Sequence, residues 1–450
     1  MKETAGVILA AGKGTRMKSQ TPKVLHHLLG KPLIHYPLEL LENLKITRNF
    51  LIISPQQIRI PEILQERVEY IYQQVPRGTG DALLSALAAL EKTSLKHLVV
   101  LSGDMPLLKA ATLKKLLKAH QEEKNVITFL TTELPEPGQL GRVVRDESGK
   151  VKKIQEAKSA SSEILALREV NMGTYCFSLP FLQKYLPQVP VDKKSQEIYL
   201  TDLIEMAEKH GEKLNAVSCE DPREGMGVNS RKELAQAASI LKQDLSNELM
   251  LNGVTMLDPS SVFISPQARI GEDTTIFPFT IIEGETVIGR GCTIGPNTRI
   301  TDSRVGRDTE IQFSVVKQAQ IGDECSVGPF AYLRAGTVMK NQSKVGTFVE
   351  VKKTTIEPGA KVPHLSYIGD AKLGRNVNIG AGTITCNYDG VNKNRTIIGE
   401  EAFIGSNTNL VAPVKIGRGA KTGAGAVVTR DVPPYTLAAG IPAVIKKKLK

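Results

Sequence analysis

Aliphatic residues recur every six positions through much of the second half of the chain, and glycine often follows them. Six residues suit one short strand and one tight turn, which form one side of a coil in a parallel β-helix. The repeat therefore predicts a solenoid in which aliphatic residues stack from coil to coil. The positions are Ile270, Ile276, Ile282, Ile288, Ile294 and Ile300, then Ile321, Val327, Leu333, Met339, Val345 and Val351, and finally Ile398, Ile404, Leu410 and Ile416.

This six-residue pattern breaks between Ile379 and Ile398, where residues 381–395 interrupt it. An insertion in a solenoid forms a loop on one face, and that face often binds a ligand. We therefore expect a functional loop in this segment.

In the first half of the chain, short apolar runs alternate with helical patterns, which is typical of an α/β domain with a Rossmann-like parallel sheet. A longer helical pattern after Ser230, the predicted N-cap, indicates a linker between two domains. The predicted domains are 1–229, 230–250 for the linker helix and 251–450. The predicted elements are strands at 5–9, 49–54, 68–72 and 97–101, and helices at 81–92 and 230–251.

The composition narrows the class of protein. Only 5% of residues are aromatic and none is Trp, which fits a narrow solenoid core. No stretch approaches the roughly 20 apolar residues of a membrane span, and the start of the chain lacks a signal-peptide pattern, so we expect a cytoplasmic protein. The five cysteines have no CxxC spacing, which favours buried free thiols over a zinc site or disulfides.

The net charge of +11 is compatible with binding to nucleic acid, to a membrane surface or to small anions. The basic residues are spread out, and there is no RNA-binding motif and no aromatic stacking platform. We therefore expect small anionic metabolites as partners and no nucleic acid.

A loop of small residues follows the first predicted strand. Gly12 and Gly14 let backbone N–H groups approach phosphate oxygens, and Lys13, Arg16 and then Lys23 supply positive charge. The P-loop motif does not fit, and the dinucleotide-binding motif fails at position 17. The loop predicts a phosphate site, and a tight turn without a ligand is the alternative.

The fourth predicted strand ends in Ser102-Gly103-Asp104. Open α/β sheets bind ligands at the carboxyl ends of their strands, and one carboxylate facing a triphosphate suits Mg²⁺. The alternative is that Asp104 only forms a turn or caps a helix.

These motifs together resemble the sugar-phosphate nucleotidyltransferase family. They are Leu9-Ala-Ala-Gly-Lys-Gly-Thr-Arg-Met17, Pro22-Lys23 and Ser102-Gly103-Asp104. From this loop to about Lys446, the chain resembles the bacterial bifunctional N-acetylglucosamine-1-phosphate uridyltransferase/glucosamine-1-phosphate acetyltransferase family, which joins such a domain to a left-handed β-helix.

The resemblance implies two reactions whose product is a precursor for peptidoglycan synthesis. They would thereby contribute to cell wall biogenesis and cell shape. An acetyl group passes from acetyl-CoA, a co-substrate, to glucosamine 1-phosphate. UMP then passes from UTP to N-acetylglucosamine 1-phosphate, with Mg²⁺, to give UDP-N-acetylglucosamine and pyrophosphate. The family also implies a homotrimer.

For uridylyl transfer, the resemblance implies that Gln73, Gly78 and Thr79 line the base and that Asp104 and Asn229 hold Mg²⁺. The sugar would contact Gly141, Glu156 and Asn171. The complete implied set is Leu9, Ala10, Ala11, Gly12, Lys23, Gln73, Gly78, Thr79, Ser102, Gly103, Asp104, Gly141, Glu156, Asn171 and Asn229.

In the solenoid, His364 falls near Arg334, Lys352 and Tyr367 once coils are stacked, and such a set suits a phosphorylated amine. A β-helix that serves only as a scaffold is the alternative. The resemblance implies that His364 is the general base of acetyl transfer. It further implies that Arg334, Lys352, Tyr367, Asn378 and Lys393 bind the sugar phosphate and that Ala381, Asn387, Tyr388, Ser406 and Ala424 bind acetyl-CoA.

The chain departs from some family members at Ile441. Those members carry a basic residue at the matching position, and it contacts the coenzyme phosphates. Lys446, Lys447 and Lys448 are candidates to replace that contact, and a solvated, disordered end is the alternative. Two other interpretations of the whole chain stay open: an enzyme for another sugar or nucleotide with a silent β-helix, and a regulatory scaffold without catalysis.

Overall fold

The computed structural model describes residues 3–91, 93–193 and 195–449. The chain forms two compact units, Met1–Ser239 and Ile240–Lys450, and the helix Arg231–Leu251 runs through the limit between them. The domain limits that the sequence suggested stay a prediction.

The first unit contains a nine-stranded mixed sheet. The strand Thr4–Leu9 is parallel to Asn49–Ile53 and His97–Ser102, whereas Glu169–Ser178 is antiparallel to His97–Ser102. Alternate residues of these strands enter two apolar cores: Val7 packs in one core and Ile8 in the other. Burial on both faces explains the continuous apolar runs in the sequence.

The strands of this sheet are Thr4–Leu9, Asn49–Ile53, Glu69–Tyr72, His97–Ser102, Ile127–Glu133, Arg142–Arg145, Val151–Gln155, Glu169–Ser178 and Leu214–Ser218, and a hairpin pairs His27–Leu28 with Lys31–Pro32. The α-helices are His35–Asn43, Arg59–Leu64, Thr79–Leu90, Ala110–Glu122, Ser162–Leu165, Leu179–Tyr185, Asp202–Lys209 and Arg231–Leu251. Short 3₁₀ turns lie at Thr15–Met17, Lys23–Leu25, Gln65–Arg67, Ala157–Ser159, Leu186–Gln188, Pro222–Gly225 and, in the second unit, Pro259–Ser261.

The predicted strands of this unit all occur, with ends that differ by one residue. The helix predicted from Asp81 begins earlier, at Thr79, and within its first turn the Gly80 N–H donates to the Ile198 carbonyl at 2.8 Å. The other predicted end of this helix, Lys92, lies outside the described residues.

The second unit is a three-sided left-handed β-helix, as predicted, with parallel strands along each face. The first face contains Thr255–Met256, Thr275–Ile276, Thr293–Ile294, Glu310–Ile311, Ser326–Val327, Lys344–Thr347, Lys361–His364, Asn378–Ile379, Phe403–Ile404, Lys421–Thr422, Thr436–Ala439 and the antiparallel Val444–Lys448. The second contains Phe263–Ile264, Ile281–Glu283, Arg299–Thr301, Val315–Lys317, Tyr332–Leu333, Glu350–Lys352, Tyr367–Gly369, Ile384–Cys386, Asn409–Val411 and Val427–Val428. The third contains Arg269–Ile270, Val287–Ile288, Arg304–Val305, Gln320–Ile321, Val338–Met339, Thr355–Ile356, Ala371–Leu373, Thr396–Ile398 and Val414–Ile416.

The aliphatic positions read from the six-residue repeat are buried, except that Ile270 is half-buried. The buried ladder also fills the gaps in that repeat, through Val305, Ile311, Val316, Ile356, Val362, Ile368, Leu373 and Ile379. Several of these steps take five residues because a corner of the coil is one residue shorter.

The insertion is shorter than the sequence suggested. Ile384–Cys386 is a regular strand between Tyr367–Gly369 and Asn409–Val411, so the coil continues through the first part of 381–395. Lys361 pairs with Asn378, 17 residues on, whereas Asn378 pairs with Phe403, 25 residues on. The extra residues form a loop closed by a bridge between Tyr388 and Lys393.

Two further features concern the ends and the thiols. The lysines Lys446, Lys447 and Lys448 lie in a strand paired with Thr436–Ala439, so a disordered end is wrong for them. All cysteines are free, four of them buried and Cys386 half-buried.

Within 3–91, 93–193 and 195–449, no helix combines the length and apolar character that a membrane span requires.

A buried histidine pair lies in the first unit. His120 is fully buried, with Nε2 3.1 Å from Nδ1 of His97 and Nδ1 3.1 Å from the hydroxyl of Thr128. Burial, and secondarily the neighbouring His97, lowers the pKa of His120 to about 4. The folded protein therefore holds this imidazole neutral where the unfolded chain binds a proton.

We predict that His120 makes unfolding sensitive to mild acid. Its contribution to stability is complete above pH ~6.5, the unfolded pKa, and declines by up to about 3 kcal/mol as pH falls toward 4. Urea unfolding from pH 7 to 4.5 should show a shallower loss of stability in His120→Gln than in the wild type. The exposed His210→Gln is the matched control, and equal slopes in all three proteins would contradict the prediction.

Two candidate sites

The loop after the first strand is shaped by two glycines with different surroundings. Gly14 has a φ of 61°, and a Cβ there would lie 2.8 Å from the Cβ of Lys23, so glycine is required by the fold. A Cβ on Gly12 would meet no protein atom within 4 Å, although Gly12 lines a pocket. The space beside Gly12 is therefore open to a ligand.

Lys23 joins the loop to the ends of other strands. Its ammonium group contacts the Asp104 carboxylate and donates to the Asn229 side-chain oxygen at 2.9 Å. Glu233 positions Asn229, because the Asn229 N–H donates to the Glu233 carboxylate at 2.8 Å. Burial opposes ionisation of Glu233, but this bond and those from Ser230 lower its pKa overall.

The Asp104 and Asn229 oxygens thus converge on one cation, and both are ligand types that Mg²⁺ accepts. Mg²⁺ usually takes one or two protein carboxylates and completes its shell with water and phosphate oxygens. Across the described ranges there is no group of three or more His, Cys, Asp and Glu residues that could hold a metal by itself. The two oxygen donors therefore fit Mg²⁺ bound together with a phosphorylated ligand.

Two pockets meet at this point, and Arg16, Ser102 and Asp104 line both. One has a volume of about 650 Å³ and is lined by the predicted residues Leu9, Ala10, Ala11, Gly12, Lys23, Gln73, Gly78 and Thr79. The other has a volume of about 680 Å³ and is lined by Gly141, Glu156, Asn171 and Asn229. Of the fifteen residues predicted for this site, Gly103 alone lines neither pocket; its Cβ position faces Ile34 at 3.0 Å, behind the loop.

The first pocket is called here the nucleotide-side pocket. Some of its lining residues also form hydrogen bonds within the fold. The Thr79 hydroxyl accepts from the Leu200 N–H at 3.2 Å, and this hydrogen bond stabilises the fold. Glu197 and Tyr199 also line this pocket and were missed from the sequence. No local pattern marks them, because a contact across more than a hundred residues brings them to the turn before Thr79.

The second pocket, the sugar-side pocket, contains a network of polar groups. Glu156 accepts from the Thr201 hydroxyl at 3.0 Å, and burial raises its pKa. Asn171 donates to the Tyr175 hydroxyl at 2.6 Å and accepts from the Gly173 N–H at 3.1 Å. Nearby, burial and then the charge of Glu156 raise the pKa of Asp202 to about 6, a group that the sequence did not single out.

In the solenoid, the strand register places four predicted residues in one column. Thr347 pairs with His364, and the pairings of Asn378 with Lys361 and Phe403 continue the same register. The corner between the first and second faces is here called the first corner. Successive coils place the following residues above one another along it: His364, Ala381, Ser406 and Ala424. The bonds from Asn407 N–H to Ala381 O (2.7 Å) and from Gly425 N–H to Ser406 O (2.8 Å) fix these coils.

The corner between the second and third faces, the second corner, holds the predicted cations. Lys352 lies 3.9 Å from the Asp370 carboxylate, which accepts from the Asn387 amide at 2.5 Å. The neighbouring Lys352 ammonium lowers the pKa of Lys393. Two crowded ammonium groups favour an anion between them.

Other members of the predicted set surround this cluster. The Asn387 amide is also 3.5 Å from the Tyr367 hydroxyl, and Arg334 pairs with Glu350 at 2.8 Å. Tyr388 is exposed in the inserted loop, and its hydroxyl donates to the Gly390 carbonyl at 2.5 Å.

The predicted proximity of His364 to Arg334 is not found within one chain. His364 is exposed at the first corner, whereas Arg334 and Lys352 lie at the second, and no hydrogen bond or ion pair joins them in the part of the chain that the structure describes. The strand Tyr367–Gly369 separates the corners by roughly 10 Å. Asn378 lies on the first face, stacked on Lys361.

Comparison with known proteins adds the following. Residues 6–166 match the MobA-like NTP transferase domain, 259–367 the GMPPB C-terminal domain and 395–430 the bacterial transferase hexapeptide (six repeats). Bifunctional protein GlmU of Carboxydothermus hydrogenoformans is 48% identical over 433 residues, 96% of either chain. The same protein of Heliobacterium modesticaldum is 47% identical over 438 residues, 97% of this chain and 95% of its own. The chain belongs to the GlmU family.

The family resemblance inferred from the sequence is thereby confirmed. As a GlmU family member, the chain is a bifunctional enzyme, with a nucleotidyltransferase in its first unit and an acyltransferase of hexapeptide repeats in its second.

The two loop glycines lead to a paired prediction. Gly14→Ala should destabilise the protein by about 1–3 kcal/mol, because it adds left-handed strain and crowds Lys23. Gly12→Ala should leave stability within ~0.5 kcal/mol and weaken binding of a nucleoside triphosphate, since its methyl group enters the pocket. Thermal unfolding and titration calorimetry measure the two effects, and equal destabilisation by both variants would contradict this assignment.

Proposed function

We propose that the first unit transfers UMP from UTP to N-acetylglucosamine 1-phosphate and that the solenoid transfers acetyl from acetyl-CoA to glucosamine 1-phosphate. The two reactions together give UDP-N-acetylglucosamine and pyrophosphate. One observation carries the first assignment: two pockets of suitable size meet at Asp104, with Lys23 and Asn229 at the junction. From family membership we also infer a role in the cytoplasm as a source of precursor for the bacterial cell wall.

The pockets suit an in-line displacement in which the protein positions the reactants. A triphosphate in the nucleotide-side pocket would face the loop at Gly12, with Lys23 and Arg16 offsetting its charge. Asp104 and Asn229 would hold Mg²⁺, which supplies further positive charge to the phosphates. The sugar phosphate oxygen attacks the α-phosphorus of UTP, a new P–O bond forms, and pyrophosphate leaves.

The sugar-side pocket offers both donors and acceptors to sugar hydroxyls and to an acetamido group. Glu156 supplies an acceptor and Asn171 an amide, and Gly141 lines the same pocket. Asn171 and Gly141 are tied together by the Asn171 N–H bond to the Gly141 carbonyl at 2.9 Å. These contacts support binding of N-acetylglucosamine 1-phosphate with its phosphate toward Asp104.

In the solenoid, His364 would act as general base. Its imidazole accepts a proton from the glucosamine ammonium group, and the freed amine attacks the thioester carbonyl. The C–S bond breaks and the coenzyme leaves as its thiol. The column Ala381, Ser406 and Ala424 supports this proposal, because small residues below the imidazole leave a shallow path for an extended coenzyme, and backbone N–H groups near Ala381 suit the oxyanion.

The second corner would hold the phosphate of glucosamine 1-phosphate. Lys352 and Lys393 crowd one another there, so a bound dianion would relieve their repulsion, and Arg334 adds a planar donor. Tyr367 and Asn387 lie against the same cluster.

A second copy is needed to bring the two corners together, which supports the homotrimer. The first corner also carries apolar residues in left-handed conformations, of which Phe279, Phe330, Phe348 and Leu365 are exposed and Phe313 is half-buried. The rings of Phe330 and Phe348 stack at 5.2 Å, and both remain more than half exposed. Exposed apolar columns of this kind typically pack against another subunit.

For uridylyl transfer, we predict that Lys23→Ala and Asp104→Ala each lower kcat by at least about 10²-fold. Pyrophosphate release from UTP and N-acetylglucosamine 1-phosphate measures the loss. Lys118 is an exposed helix residue, so Lys118→Ala is the control and should keep wild-type turnover. All three variants should keep the wild-type rate of acetyl transfer. Normal turnover in Asp104→Ala would remove the metal assignment.

For acetyl transfer, we predict complementation between subunits. His364→Ala and Lys352→Ala should each be inactive when thiol release from acetyl-CoA is measured, because each removes one side of the site. Mixed trimers refolded from equal amounts should regain about a quarter of wild-type activity, since that fraction of sites pairs an intact His364 with an intact Lys352. No recovery in mixtures that sediment as trimers would contradict a shared site.

A further inference from the structure

The side-chain amide of Gln73 lies in the nucleotide-side pocket and is only 3% exposed. Its Nε2 donates to the Asp81 carboxylate at 2.7 Å and to the Gly78 carbonyl at 3.3 Å. An amide nitrogen carries two hydrogens, so these two bonds use both. The group that Gln73 retains for a ligand is its carbonyl oxygen.

The neighbours of Gln73 determine this orientation. An ionised carboxylate and a peptide carbonyl accept hydrogen bonds and donate none. A reversed amide would set its oxygen against both acceptors, and an unmade buried hydrogen bond costs about 1–3 kcal/mol.

Asp81 is itself held in place. It is 8% exposed, lies in the first turn of the helix Thr79–Leu90 and accepts from the Arg77 guanidinium at 3.2 Å. Both the helix N-terminus and the guanidinium therefore help to hold the carboxylate at this position.

We propose that Asp81 is a positioning residue for nucleotide choice, which holds Gln73 so that the pocket presents an acceptor to the base and selects uracil over cytosine. This inference rests on the proposed uridylyl transfer and adds the residue that sets its base preference. Asp81 contacts no reacting atom and acts through Gln73.

The selection follows from the base edges. Uracil carries a hydrogen on N3 and donates it to the Gln73 oxygen, whereas N3 of cytosine has a lone pair that faces that oxygen unfavourably. Sites built around one buried hydrogen bond reject an analogue that cannot form it far better than apolar pockets reject a change in size.

Asp81→Asn tests the inference because it keeps the shape and changes the hydrogen bonding. The Asn amide can donate to the Gln73 oxygen as well as accept from its nitrogen, so the reversed orientation of Gln73 gains a hydrogen bond at position 81 and keeps only the longer, unfavourable contact with the Gly78 carbonyl. We expect the UTP preference over CTP, as a ratio of Kd values and of kcat/KM values, to fall by about tenfold or more. The melting temperature checks that the variant folds.

Two further variants separate positioning from general damage. Gln73→Ala should lower the same ratio, and Asp81→Asn added to it should change the ratio no further, because Asp81 acts through Gln73. Ser85→Ala, on the same helix but outside the pocket lining, is the matched control and should keep the wild-type ratio.

The outcomes distinguish this inference from the proposed function. An unchanged ratio in Asp81→Asn, a further change in the double variant, or equal binding of UTP and CTP by the wild type would each overturn the role of Asp81. A wild type that binds UTP preferentially but forms no UDP-sugar would overturn the proposed reaction, and the Kd ratios would still test Asp81.

Discussion

The register between successive coils is the constraint on which the solenoid chemistry depends. Each strand bonds to the strand one coil later, and a slip of one residue would turn the buried aliphatic ladder to solvent. Burial therefore fixes the register, and the register in turn aligns corner residues that are far apart in sequence. His364 and Ala424 share a column for this reason and need no direct contact.

In the first unit, the corresponding constraint is the charge at the strand ends. Lys23 and Asp104 are mostly buried, and removing either partner would leave an uncompensated charge in a poorly solvated place. The Lys23 ammonium also draws the oxygens of Asp104 and Asn229 toward one point. The protein alone thus assembles a group of ligands suited to a cation before any nucleotide is present, which reduces the reorganisation that binding requires.

The sequence predicted those parts of the structure that have a local physical signature. A six-residue repeat predicted the ladder, and an apolar run followed by small residues predicted the loop around Gly12. The five-residue steps, such as Val351 to Ile356, were missed because a shortened corner changes the period without changing the burial. Glu197 and Tyr199 were missed because their place at the nucleotide-side pocket is set by long-range packing.

The same distinction explains the error about His364 and Arg334. Residues near each other in a solenoid sequence can lie on different faces, and the residue count between strands decides which corner each reaches. The Gln73–Asp81 contact is the opposite case: eight residues apart, the two meet because Gln73 directly follows a strand and Asp81 lies in the first turn of the next helix. The family resemblance implies only that Gln73 lines the base, and the contact shows that both of its amide hydrogens are used internally.

The two sites differ in what a single chain can supply. The pockets of the first unit are concave and lined by residues of one sheet and its loops, so one chain contains the groups that the proposed reaction requires. A three-sided solenoid is convex at its corners and flat on its faces, and its candidate residues lie on two corners that point in different directions. A cleft between them exists only when another copy packs alongside. Acetyl transfer should therefore depend on subunit association and on protein concentration, whereas uridylyl transfer should not. Mass action governs the assembly of the acetyl-transfer site, and folding of a single chain forms the uridylyl-transfer site.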